Sequence, residues 1–232
     1  MKVLKIVSLA FILGVLCSLS VLAVNDGFDT DPVPENEANE IFNRFNIISG
    51  DQPYDMDNPI VSFDVSDDHR IALGLKDHII KILNTDGQVL NILTFNSDGV
   101  YYIEWSGQNL ILYQGRGSLA VEVTLSGELA GMWEINENSI KTAKYWNSLN
   151  SRKEIKVDQN TYKLQNKMGV LNLIAGGIYN QLLKIDSDGN TTILYDVNTS
   201  RLIKMIIIII FFIAFFTAVI ILVFKKVLAM RK

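Results

Sequence analysis

HIIKILNTDGQVLNILTF, residues 78–95, decides the fold. Two apolar runs flank the pair Asp86-Gly87. A tight type I′ turn needs positive φ at both central positions, and Asp-Gly tolerates that, so the stretch is predicted to be a β-hairpin. The pattern recurs in LAVEVTLSGELAGMWEI (119–135), turning at Ser126-Gly127, and in YNQLLKIDSDGNTTILYDV (179–197), turning at Asp188-Gly189. A second hairpin precedes each one. VSFDVSDDHRIALGL (61–75) turns near Asp67-Asp68, VYYIEWSGQNLILYQG (100–115) at Ser106-Gly107, and TYKLQNKMGVLNLIAG (161–176) near 167–169. The repeating unit is therefore two hairpins, or four short strands. Gly87 and Gly127 lie 40 residues apart (127 − 87), whereas Gly127 and Gly189 lie 62 apart, so the third unit carries roughly 22 extra residues.

That insertion is placed at 136–160. Ile140, Ala143, Trp146 and Leu149 permit a short helix, and EIKV (154–157) begins a further hairpin to TYKL (161–164). From Lys141 to Lys167 there are seven basic residues against two acidic ones, the one cationic region away from the apolar ends. The leader at 25–57 is the opposite, with nine acidic residues and one basic, Arg44. Its content is too polar to fold alone. Within it Ala38, Ile41, Phe42 and Phe45 recur at helical spacing after Pro34, so a short helix over 35–46 is expected. The acidic leader and the basic insertion are expected to touch.

The far end of the chain sets its class. MIIIIIFFIAFFTAVIILVF (205–224) contains no charge, Gly or Pro. At about 1.5 Å per residue it spans roughly 30 Å, the hydrocarbon thickness of a bilayer. A transmembrane helix is expected over 202–224, with 225–232 as a cytoplasmic tail held by Lys225, Lys226, Arg231 and Lys232. Residues 1–23 read as a signal peptide or an uncleaved anchor: Lys2 and Lys5 precede an apolar stretch, and Ala23 offers a cleavage position. The segment from Asp26 to Asp196 holds all 25 acidic residues and 13 basic ones, a net 13 − 25 = −12. An acidic domain outside and cations at both membrane ends point to the cell membrane, with the main domain extracytoplasmic. Nucleic acid is disfavoured as a partner, since phosphate contacts need clustered Lys and Arg. Cys17 is the single cysteine and lies in the N-terminal apolar run, so disulfides and cysteine chemistry are excluded from the folded part.

Units of about 40 residues with an Asp-Gly hairpin resemble β-propeller blades. In particular, FDVSDDHRIALGL followed by IIKILNTDGQVL is similar to the second to fourth strands of blades in the NHL and Trp-Asp repeat-like propellers. The resemblance covers 60–198 and implies an all-β ectodomain of three propeller-like four-strand units, at 58–200, incomplete or self-closed. Closed rings have four to eight blades. The open edges, near 61–63 and 193–197, would be satisfied by a homo-oligomer, by a partner protein, or by the leader segment 44–49 folding back as a closing strand.

Candidate chemistry is sparse. His69 and His78 lack a third metal ligand and read as turn and edge residues. Asp64, Ser66, Asp67 and Asp68, and likewise Asp186, Ser187 and Asp188, have oxygen spacings that suit hard cations, but Asp and Ser also hold turns. Trp105, Trp133, Tyr101, Tyr102 and Tyr113 could form a sugar-stacking platform or simply pack the core. Asn190 and Asn198 match the glycosylation sequon. No nucleophile or phosphate-loop motif occurs. The expectation is a binding or scaffolding domain at the cell surface, not an enzyme, with no catalytic, cofactor-binding or metal residues. The alternatives are a carbohydrate-active surface hydrolase using Asp and Glu residues and an accessory subunit of a membrane complex.

Overall fold

The structure is a computed structural model and describes residues 27–50, 58–169 and 179–229 of the chain. The expected signal peptide at 1–23, part of the 161–176 hairpin and residues 230–232 lie outside them. The leader supplies β1 (Thr30–Pro32), the helix α1 (Glu35–Phe45) and β2 (Ile48–Gly50). Two carboxylates, Glu35 and Glu37, sit in the first turn of α1, where they favour the positive end of the helix dipole. Next come β3 (Ile60–Val65), β4 (Ile71–Leu75), β5 (Ile79–Leu83) and β6 (Val89–Thr94), each antiparallel to the one before, forming the first sheet. The second sheet repeats this with β7 (Tyr101–Ser106), β8 (Asn109–Gln114), β9 (Leu119–Val123) and β10 (Leu129–Ile135). The helix α2 (Ile140–Ser151) leads into the third, made of β11 (Glu154–Val157), β12 (Asn160–Gln165), β13 (Gln181–Ile185) and β14 (Thr191–Asp196). The described domain is thus all-β, with three open, propeller-blade-like sheets.

The first sheet lies in the middle. One of its faces, with Ala72, Ile80, Ile82 and Leu93, packs on Ile103, Leu110, Leu112, Val121 and Val123 of the second sheet. Its other face, with Ile71, Leu73, Ile79 and Leu83, packs on Tyr162, Leu164, Leu182 and Leu194 of the third. All five residues of β4 are buried. A strand covered on both faces reads as a continuous apolar run, which is why IALGL shows no alternation. The far face of the second sheet, with Ile111, Tyr113 and Ala120, is covered by Leu149 of α2 and by Phe28. The insertion therefore acts as a lid on one end of the stack.

Two expectations need correction. The third unit does not use a 161–176 hairpin, because β12 is already paired on both sides, with β11 (Ile155↔Tyr162) and with β13 (Thr161↔Ile185). The leader does fold back as edge strands, but elsewhere: β2 pairs with β6 (Ser49↔Leu93) and β1 with β10 (Asp31↔Glu134), rather than at 61–63 or 193–197. Leader and insertion also meet, through aromatic packing and hydrogen bonds, one of them from Asn136 Nδ2 to the Asp29 carboxylate at 3.3 Å. Phe28 packs at 4.7 Å on Tyr145 and 4.6 Å on Trp146, and the Asp29 amide donates to Thr142 Oγ1 at 3.4 Å. Among the described residues no ion pair joins the two segments. Aromatic burial dominates this contact, since an exposed ion pair contributes about 0–1 kcal/mol.

The helix α3 (Asn198–Ala229) follows β14 after one residue. Its stretch Asn198–Ile221 is long and apolar enough to cross a membrane, and residues 206–221 of it are exposed, uncovered by the other described residues. The junction is tied down at fully buried Asn180: its carbonyl accepts from the Val197 amide at 2.9 Å, and its Oδ1 accepts from Arg201 at 2.8 Å.

The hairpin turns tell sheet contacts apart from local strain. Gly87 and Gly189 both hold left-handed backbone, at φ +81 and +82, but Asp86 and Asp188 do not, so the expected type I′ pairs are corrected: each glycine closes a turn begun three residues earlier, at Asn84 or Asp186. A Cβ on Gly87 would lie 2.8 Å from the Leu194 carbonyl oxygen of the third sheet, whereas one on Gly189 would meet nothing within 4 Å. Gly189→Ala is expected to cost about 1–2 kcal/mol from backbone strain alone. Gly87→Ala should cost a further 1–3 kcal/mol, roughly, from the overlap. Equal losses in thermal or urea unfolding would contradict the packing of the first sheet's turn on the third sheet.

Candidate functional site

The first strands of the sheets lie at the inner edge of the stack, and three ionisable side chains from three units meet there. Asp64 comes from β3, Glu104 from β7, and Arg152 from the residues between α2 and β11. The Arg152 guanidinium lies 2.6 Å from Glu104 Oε1 and 3.5 Å from Asp64 Oδ1. The Trp105 amide donates to Asp64 Oδ2 at 2.7 Å, which ties β7 to β3. Tyr145 of α2 donates its phenol proton to Glu104 Oε2 at 2.6 Å. Side-chain exposures of 13% for Glu104, 16% for Asp64 and 23% for Arg152 make this a largely desolvated cluster.

Desolvation governs the electrostatics. Burial raises Asp64 to about 6, against the lowering effects of the Trp105 amide and of Arg152, and Glu104 adds to the rise. Burial opposes the charge on Arg152, but Glu104 and Asp64 outweigh it and hold the guanidinium above its ordinary value. Tyr145 is pushed up by burial and by its hydrogen bond to Glu104. Both Glu104 oxygens are engaged inside the cluster. Asp64 differs in that it also lines a cavity of about 380 Å³, together with Ser66, Asp67, Asp68, Trp105 and Gln108.

The rim of that cavity is held by turn chemistry. Ser66 Oγ bonds Asp68 Oδ1 at 2.5 Å and accepts from the Arg70 amide at 2.9 Å. The Ser66 bond lowers Asp68 below its usual range, assisted by Arg70. Arg70 pairs with Asp68 at 2.9 Å, donates to Gln108 at 2.7 Å, and stacks 4.6 Å over Trp105. A carboxyl that titrates near neutral pH, beside an indole in a solvent-reachable cavity, can hydrogen-bond a ligand in either protonation state or move a proton.

Other sequence candidates are dispersed. His69 sits before β4 and His78 after it, so a whole strand separates them; His69 Nε2 lies 3.1 Å from Asp158, and His78 packs on Phe95 and Tyr101. Among the described residues no group of three His, Cys, Asp or Glu could hold a metal ion. Asp186 Oδ1 accepts from the amides of Asp188 and Asn190, which is turn chemistry, as at Asn84. The five aromatic residues do not form one platform. Tyr101 and Trp105 face the first sheet, whereas Tyr102, Tyr113 and Trp133 lie on the side of α2. Asn190 is exposed at its turn; Asn198 is buried and accepts from the Lys167 amide, so its side chain is closed to modification.

No protein family and no curated protein matches the chain in sequence. Solved structures resemble it in fold. The chain is similar to streptogramin B lyase, at 11% identity and a TM-score of 0.30, over 66% of this chain and 45% of that one. It is also similar to a catalytically inactive virginiamycin B lyase from Staphylococcus aureus solved with quinupristin, at 14% and 0.29, over 64% and 45%. A protein of unknown function from Bacteroides caccae matches at 14% and 0.28, over 61% and 50%. The chain thus spans about half the length of these structures, and the likeness is one of fold alone. Two of these structures are lyases, which runs against the expectation of a non-enzyme, but a likeness of this size assigns no activity to this chain. The expectation rested on local motifs, and a site assembled from separate strands has none.

Glu104 and Arg152 escaped the sequence reading, and Asp64 entered it only as a cation ligand. Their shared signal is a charge inside an apolar strand: FDV (63–65) and IEW (103–105) place Asp64 and Glu104 in the first strand of successive units, 40 residues apart (104 − 64).

The raised Asp64 value has a consequence for stability. The folded group binds its proton at about 6 and the unfolded one at 3.8. Its contribution is therefore whole below about pH 4 and is lost as pH rises through about 6. Asp64→Asn should remove this slope, so the variant gains on the wild type by roughly 3 kcal/mol between pH 4 and 7, at 1.36 kcal/mol per pKa unit. Unfolding curves of both proteins across that range check it; parallel pH profiles would contradict a buried, proton-binding Asp64.

Proposed function

We propose that the protein is a membrane-tethered β-repeat domain that faces away from the cytoplasm and binds a ligand or partner protein at the cell surface. The observation that carries this reading is α3, which begins one residue after the last strand and whose apolar residues 206–221 are exposed among the described residues. In water such a surface would cost about 25 cal/mol for every Å² exposed; a bilayer removes that cost while the helix satisfies its own backbone. Lys225, Lys226, Arg231 and Lys232 favour a cytoplasmic C-terminus. The ligand contact in this reading is the cavity at Asp64 and Trp105.

A second reading is a surface hydrolase acting on carbohydrate. Asp64 favours it, since a carboxyl held at about 6 beside an indole suits a general acid. Glu104 does not supply the second free carboxylate of a glycosidase pair, because Arg152 and Tyr145 engage both its oxygens.

Alkaline carbonate washing of membranes should leave the full chain in the pellet. Protease added to intact cells should digest the β domain and spare an epitope placed after Lys232. Release by carbonate would remove the anchor, and a protected β domain would reverse the orientation.

A further inference from the structure

A second cavity, of about 520 Å³, lies between α2 and the start of β7, away from Asp64. We propose that it is a binding site for a neutral saccharide of about two sugar rings. Ala143, Trp146, Asn147 and Asn150 line it at spacings of three, four and seven residues, so they share one face of α2. Trp146 and Tyr102 form a continuous aromatic wall, with ring centroids 5.7 Å apart and planes inclined at 51°. Such a wall suits the apolar C–H face of a pyranose. Its geometry is fixed in advance: Trp146 is seated edge-on against buried Phe28 at 4.6 Å, and Tyr102 donates to Asn150 Oδ1 at 3.1 Å.

The polar lining specifies the class. Asn147 and Asn150 are exposed amides one helical turn apart, each with a donor and an acceptor group, a set that matches neighbouring hydroxyls. Glu137 adds a carboxylate. Among the described residues the lining holds no Lys or Arg, so an anionic ligand such as a phosphate or a sugar acid would meet only the repulsion of Glu137. Ala143 leaves open space where a larger residue would fill the groove. The volume falls in the range of small-molecule sites, about 300–1,000 Å³.

Full-length protein in a detergent without a sugar headgroup should be titrated with cellobiose, chitobiose and maltose, following tryptophan fluorescence and heat. At least one should bind saturably, with Kd of about 1 mM or below. Asn147→Ala and Trp146→Ala should each weaken it at least about tenfold, the scale of one lost hydrogen-bonded or stacked group. Trp146→Ala also removes a contact to Phe28, so Asn147→Ala, at an exposed position, decides if the first variant misfolds. The proposal is overturned if none of the three disaccharides binds. It is equally overturned if folded Asn147→Ala binds as the wild type does.

Discussion

Ile71, Ala72, Leu73, Gly74 and Leu75 have no water on either side, and the remainder of the β domain is arranged to keep it so. A sheet apolar on both faces cannot stand alone; it needs a second layer above and a third below. The second and third sheets are those layers, and each must in turn dispose of its own far side. For the second sheet the solution is α2 with Phe28, which cover Ile111, Tyr113 and Ala120. A closed propeller meets the same requirement by adding blades until the ring joins. Here a helix covers the second sheet's far face instead.

Packing three sheets this closely forces their first strands together, and that is where the charges are. Removing Asp64, Glu104 and Arg152 from water is unfavourable, and their mutual attraction offsets the loss only because the geometry is close and the spare oxygens are bonded. Glu104 is satisfied by Arg152 and Tyr145, and Asp64 by the Trp105 amide. The compromise is uneven. Asp64 keeps a weak hold on its charge and opens on a cavity, which is the combination expected of a working group rather than a structural one.

How much could be read in advance follows from the range of each interaction. The Asp86-Gly87 and Asp188-Gly189 hairpins were legible because their chemistry is local: Asn84 and Asp186 bond the amides of their own turns. TYKL (161–164) was ambiguous, since EIKV upstream and the apolar run downstream both offer a partner. Tertiary packing resolved it by placing β13 on its other side. The count of charges in the leader and insertion pointed to contact, but not to Phe28, whose aromatic seat between Tyr113, Tyr145 and Trp146 makes that contact. The Asp64 cluster was illegible for a different reason. Its members are 40 and 48 residues apart (104 − 64, 152 − 104), and only the stacking order of the sheets brings them within bonding distance.

That stacking order is the central claim, and amide hydrogen exchange on the full chain tests it most directly. A strand at the centre of the stack opens only when the whole domain does, whereas an outer strand also opens locally. Amides of 71–75 should be the slowest in the domain and should exchange at the rate of global unfolding, with those of 191–196 clearly faster. Equal rates in the two strands, or slower exchange in 191–196, would contradict a first sheet held between the other two.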